Sequence, residues 1–148
     1  MNPQVVLATL IGILLLACST TASPAEGVFF RKWGTYGSGG GEFNFPEGVV
    51  VAADGSVYVI DTDNQRIQKF TSEGVLVSKW GSEGWNDGQF YVPVSVAVAY
   101  DSSVYLAERG SHRIQKFTSE GVFVSKWGTE GTGGGQFIQP ATVAVASE

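Results

Sequence analysis

Acid–base or metal chemistry needs ligands and proton carriers in groups, and this chain offers them singly. His112 is the only histidine and Cys18 the only cysteine. One chain therefore cannot build a multi-histidine metal site or an intrachain disulfide. The oxygen-rich run Asp61-Thr62-Asp63-Asn64-Gln65 has the start of an oxygen-ligand calcium loop. It lacks the glycine at the sixth position and the glutamate at the twelfth that such a loop requires. Gly37-x-Gly39-Gly40-Gly41 and Gly131-x-Gly133-Gly134-Gly135 could cradle a phosphate only if a helix and a lysine followed. Phe43 and Pro46 follow the first run instead, and Phe137 and Pro140 the second. No Gly-x-Ser-x-Gly elbow is present to expose a nucleophilic serine. The residues thus lead to the expectation of no catalytic, cofactor-binding or metal-binding side chain.

The elements that must position these residues repeat. Trp33, Trp80 and Trp127 stand 47 residues apart, as do Phe43, Phe90 and Phe137, and Pro46, Pro93 and Pro140. Residues 66–75 recur letter for letter as 113–122. Within one repeat, residues 49–53, 57–60, 66–70 and 75–80 are short apolar or alternating runs, with turn chemistry such as Asp54-Gly55 and Glu73-Gly74 between them. No stretch after residue 27 carries the longer 3.6-residue period of a helix. Four strands per repeat is the make-up of a propeller blade. The expected fold is all-β, a partial β-propeller with two full four-stranded antiparallel blades at about 49–81 and 96–128. An orphan outer strand at 28–33 and an orphan inner strand at 142–146 flank them, so the propeller is expected to be truncated. Two stacked blades would leave apolar faces open to self-association.

Gly41-x-Phe43-x-x-Pro46, Asp54-Gly55, Val57-Tyr58-Val59, Asp61-x-x-Asn64-x-Arg66-Ile67 and Trp80-Gly81 together resemble the NHL repeat. The resemblance runs from about Val28 to the end of the chain. The second copy departs where the motif is polar: Glu108, Ser111 and His112 replace Asp61, Asn64 and Gln65, while Arg113 matches Arg66. Asp61 and Arg66 flank a tight turn and are expected to pair and order it, a structural role. Trp33, Trp80 and Trp127 are expected to pack rather than to bind ligand. Tyr58 and Tyr105 suit a blade edge, and His112 is expected to be an exposed turn residue. The resemblance implies that some relatives are lyases holding zinc or calcium with several histidines and acids, which His112 alone cannot supply.

Residues 5–17 are almost wholly apolar, too short to span a bilayer and the right length for a signal-peptide core. Residues 1–25 are therefore read as an export signal and tether, and 26–148 as the repeat domain. Leu15-Leu16-Ala17-Cys18 resembles the lipobox of bacterial lipoproteins, which implies lipidation of Cys18 and a membrane anchor. Ordinary cleavage after Ala22 is the competing reading. The formal net charge of −5 argues against nucleic acid as a partner. The functional expectation is a non-catalytic binding scaffold of the cell envelope with a protein or glycan partner. The alternative is a fragment of a metal-dependent lyase or hydrolase whose active site lies in other blades.

Overall fold

A computed structural model describes residues 31–146. Contacts divide the chain into Met1–Arg31 and Lys32–Glu148, and the fold below belongs to the second unit. Cys18, the export signal and residues 28–30 of the expected outer strand lie outside the described residues.

Two four-stranded antiparallel sheets follow each other in sequence. The first holds β3 (Pro46–Val51), β4 (Val57–Asp61), β5 (Arg66–Phe70) and β6 (Leu76–Trp80), adjacent in that order. The second holds β7 (Pro93–Val98), β8 (Val104–Glu108), β9 (Arg113–Phe117) and β10 (Phe123–Trp127). Two short strands, β1 (Thr35–Tyr36) and β2 (Glu42–Phe43), pair in parallel ahead of the first sheet. No helix occurs among the described residues, and none is long and apolar enough to cross a membrane.

Local chemistry sets these boundaries. β4 is rich in β-branched and aromatic residues, which fit a pleated surface packed on both sides. The β3–β4 turn closes at Gly55, where φ is +84°, and the Asp54 carboxylate accepts hydrogen bonds from the backbone N–H and hydroxyl of Ser56. β3 starts at Pro46 rather than at Val49, and β7 at Pro93 rather than at Val96. A register shift between Pro46 and Gly48 recurs between Pro93 and Ser95. An irregular first pair suits a residue that has no N–H to give the ladder.

The core lies between the two sheets. Tyr58, Ile60 and Ile67 of the first meet Val96, Val104, Leu106 and Phe117 of the second and Phe90 of the segment that leads into it. Tyr58 is 1% exposed, so it is a core residue and not the edge residue its polar tip suggests; Tyr105 is half-buried. The repeat allows one position to be read with and without a neighbour. Val96 is 7% exposed beneath the first sheet, while Val49, its repeat equivalent, is 66% exposed. Blade-on-blade contact, not the strand itself, buries this face.

The periodic tryptophans staple outer strands. Trp33 sits over Gly74, where a Cβ would fall 2.7 Å from the indole, and is tilted against Phe70. Trp80 repeats this over Gly121, with Phe117 at 6.3 Å and Tyr58 edge-on at 6.2 Å. Trp127 meets Tyr105 edge-on at 6.1 Å. Residues 142–146 form no ladder strand, although the Val143 N–H donates to Ser95 Oγ at 3.1 Å.

Candidate functional site

Each sheet carries a buried polar clamp at the β4–β5 or β8–β9 turn. The Asp61 carboxylate, wholly buried, accepts from the Asn44 N–H (2.7 Å), Asn64 Nδ2, Arg66 Nε (2.7 Å) and Gln68 Nε2. Arg66 then turns its remaining N–H groups outward. Nη1 donates to Ser38 O, and Nη2 to Gly39 O and Glu42 O. Gln68 donates to Glu42 O and accepts from the Gly41 N–H. The glycine-rich segment before the blade is thus held by its backbone. Only a planar five-donor guanidinium reaches several carbonyls while pairing a carboxylate.

The second blade builds the same clamp from different residues. Glu108 accepts from the Tyr91 N–H, Ser111 Oγ, Arg113 Nε (2.8 Å) and Gln115 Nε2. Arg113 donates to Trp85 O, Asn86 O and Gln89 O. Glu108 is one methylene longer than Asp61 and Ser111 is shorter than Asn64, so the two departures compensate. Gln68 and Gln115 complete the clamps, and sequence reading passed over them. Their recurrence inside the identical ten-residue block was the available signal.

Asp61 cannot serve as a calcium ligand in this arrangement, because its oxygens are already taken by N–H donors. Nor is His112 a free surface residue. It is half-buried, and its Nδ1 accepts the Gln139 N–H at 3.1 Å. Gln65 does the same with Oε1 for the Val92 N–H at 3.0 Å. A histidine whose Nδ1 accepts carries its proton on Nε2 when neutral. Among the described residues, no three His, Cys, Asp or Glu side chains converge as a metal-binding group.

Carboxylates elsewhere are held low by local donors. The Ser56 backbone N–H, and then its hydroxyl, keep Asp54 below the ordinary carboxylate range; Ser103 does the same for Asp101. Both are exposed turn residues outside the clamps.

One surface feature breaks the repeat. Trp85 stands where the other copies have Ser38 and Thr132, and Tyr91 where they have Asn44 and Ile138. The two rings pack against each other with centroids 4.8 Å apart and planes tilted by 32°. Trp85 remains 59% exposed. Its backbone oxygen is pinned by Arg113, and the Tyr91 N–H by Glu108. Trp85 lines a cleft of about 520 Å³ together with Ser111, His112, Lys126, Thr129 and Glu130. Lys126 Nζ pairs with Asp87 Oδ1 beside it at 2.5 Å. A second cleft, about 370 Å³, lies at the ends of the inner strands and is lined mainly by alanine and valine with Tyr100.

Residues 43–70 match the NHL repeat model. No curated protein matches the chain. Among solved structures, a streptogramin B lyase superposes with a TM-score of 0.50 at 16% identity, over 65% of this chain and 29% of the lyase. A Bacteroides fragilis protein provisionally described as exported gives 0.52 at 12% identity, over 64% of this chain and 27% of its own. The chain therefore spans less than a third of either protein, and likeness at this identity speaks to fold alone. It agrees with the two four-stranded sheets: the chain has an all-β, partial-propeller fold, and residues 43–70 carry the match to the NHL repeat.

Proposed function

We infer that the chain is a binding scaffold of the cell envelope that acts through the loop leading into its second blade. The observation that carries this reading is Trp85. It is a large aromatic side chain, exposed and packed against Tyr91, at a position where the blade architecture is satisfied by Ser38 or Thr132. Exposed aromatics on a fixed backbone are characteristic of recognition surfaces. The buried clamp supplies that fixity, because Arg113 and Glu108 hold the main chain on both sides of the pair. On this reading the protein is exported and Cys18 carries the lipid anchor. The partner is a protein or glycan of the envelope, and the acidic balance disfavours nucleic acid.

The test is affinity capture on the folded full chain from envelope extracts, with Trp85→Ser as the paired bait. Recovery of a component by the parent and not by the variant supports the reading. Equal recovery by both, or none by either, overturns it. Mass analysis of the mature protein beside Cys18→Ala tests the anchor.

A second reading is a fragment of a lyase or hydrolase with its active site in other blades. The fold likeness to a streptogramin B lyase motivates it. Metal analysis of the purified protein and a streptogramin turnover assay decide it. Bound zinc or calcium together with substrate loss would replace the scaffold reading.

A further inference from the structure

We propose that Trp85 is a stacking platform for a neutral sugar ring, with the cleft beside it taking the ring's hydroxyls. This rests on the binding reading above and names its ligand class.

The chemistry of the site selects the ligand. A pyranose is amphipathic in a particular way. One face is a patch of C–H bonds, and its rim carries hydroxyls that both donate and accept. The apolar face needs a flat, exposed aromatic surface, which Trp85 provides at 59% exposure, backed by Tyr91 at 4.8 Å. The rim needs donors and acceptors close together. Lys126 on the cleft wall is a donor whose charge is balanced by Asp87, 2.5 Å from its Nζ. His112 presents an Nε2 donor, because its Nδ1 accepts the Gln139 N–H. Thr129 and Glu130 supply further oxygen atoms on the cleft wall. A cleft of about 520 Å³ lies within the usual size of small-ligand sites.

Other ligands fit less well. A polyanion would meet a chain of net charge −5. A metal lacks a converging ligand set among the described residues. The site is also prepared in advance. The Trp85 and Asn86 carbonyls accept from Arg113, the Tyr91 N–H donates to Glu108, and the Tyr91 ring lies against Gly110. Little ordering entropy remains for the ligand to overcome.

The repeat supplies variants that preserve the fold. Trp85→Ser installs the residue found at Ser38, and Tyr91→Asn the residue found at Asn44. The probes are the N-acetylglucosamine tetramer and cellotetraose, titrated against the full chain and read by the indole N–H resonances in NMR spectra. The expected result is a saturable shift of the Trp85 resonance with at least one probe. Affinity should fall by about tenfold or more in Trp85→Ser, the scale of one lost aromatic contact, at unchanged melting temperature. Tyr91→Asn should weaken binding by less. No shift with either probe, or equal affinity in Trp85→Ser, overturns the proposal. If a protein partner is still captured in a Trp85-dependent way while neither sugar binds, the sugar assignment fails and the scaffold reading stands. If neither is seen, both fail.

Discussion

Arg66 Nε donates to Asp61 Oδ2 at 2.7 Å, and neither side chain has more than a tenth of its surface in water. The pair is not an isolated ion pair. The same guanidinium holds three carbonyls of the preceding segment, so it joins the blade to the chain that enters it. Removing the cation would leave the buried Asp61 carboxylate without its counter-charge and take the guanidinium donor from Ser38 O, while Gly39 O and Glu42 O keep the Glu42 N–H and Gln68 Nε2. Arg66→Ala should therefore destabilise the protein by about 3–5 kcal/mol. Arg66→Lys should recover little, since an ammonium cannot copy the fork. Urea denaturation midpoints check both.

Glu108 and Ser111 should be interchangeable with Asp61 and Asn64 only as a pair. Glu108→Asp alone leaves a short carboxylate facing a short hydroxyl. Ser111→Asn alone crowds the longer one. The double variant rebuilds the first blade's clamp, so a double-mutant cycle should show a favourable coupling of about 0.5–3 kcal/mol.

His112→Gln should be nearly neutral, because Gln65 already performs that task for the Val92 N–H. His112→Ala removes the acceptor for the Gln139 N–H. Faster amide exchange at Gln139 in His112→Ala, and not in His112→Gln, is the expected signature.

Ser102 takes φ = +66° where the first blade uses Gly55 at +84°. A Cβ in that region costs about 1–2 kcal/mol. Ser102→Gly should therefore raise the melting temperature, with a gain nearer ~1 kcal/mol once the added freedom of the unfolded glycine is subtracted.

Asp54 and Asp101 are both held below the ordinary carboxylate range, first by the backbone N–H of Ser56 and Ser103 and then by their hydroxyls. A depressed folded pKa stabilises above the unfolded value, and that stabilisation is lost as pH falls through the folded one. NMR titration should place both carboxyls below the ordinary aspartate range. In Ser56→Ala, which keeps the backbone donor, Asp54 should rise only part of the way back.

The architecture was legible from residue spacing because every blade must bury the same strands against its neighbour. That constraint writes a 47-residue period into Trp33, Trp80 and Trp127, and into the identical blocks at 66–75 and 113–122. The turn pairing of Asp61 and Arg66 could also be anticipated, since five residues across a hairpin is a local relation. What the sequence could not state is where a side chain goes after leaving its own hairpin. Arg66 reaches Ser38 and Gly39 across 28 and 27 residues. Gln68 joins it, and His112 meets Gln139, only when separate loops are brought together. The Trp85–Tyr91 pair is the clearest case. Trp85 and Tyr91 carry no repeat signal, since Ser38 and Asn44 stand 47 residues before them. Only the folded chain, with Arg113 and Glu108 pinning their backbone, decides that their rings meet at a 32° tilt at the surface rather than in the core.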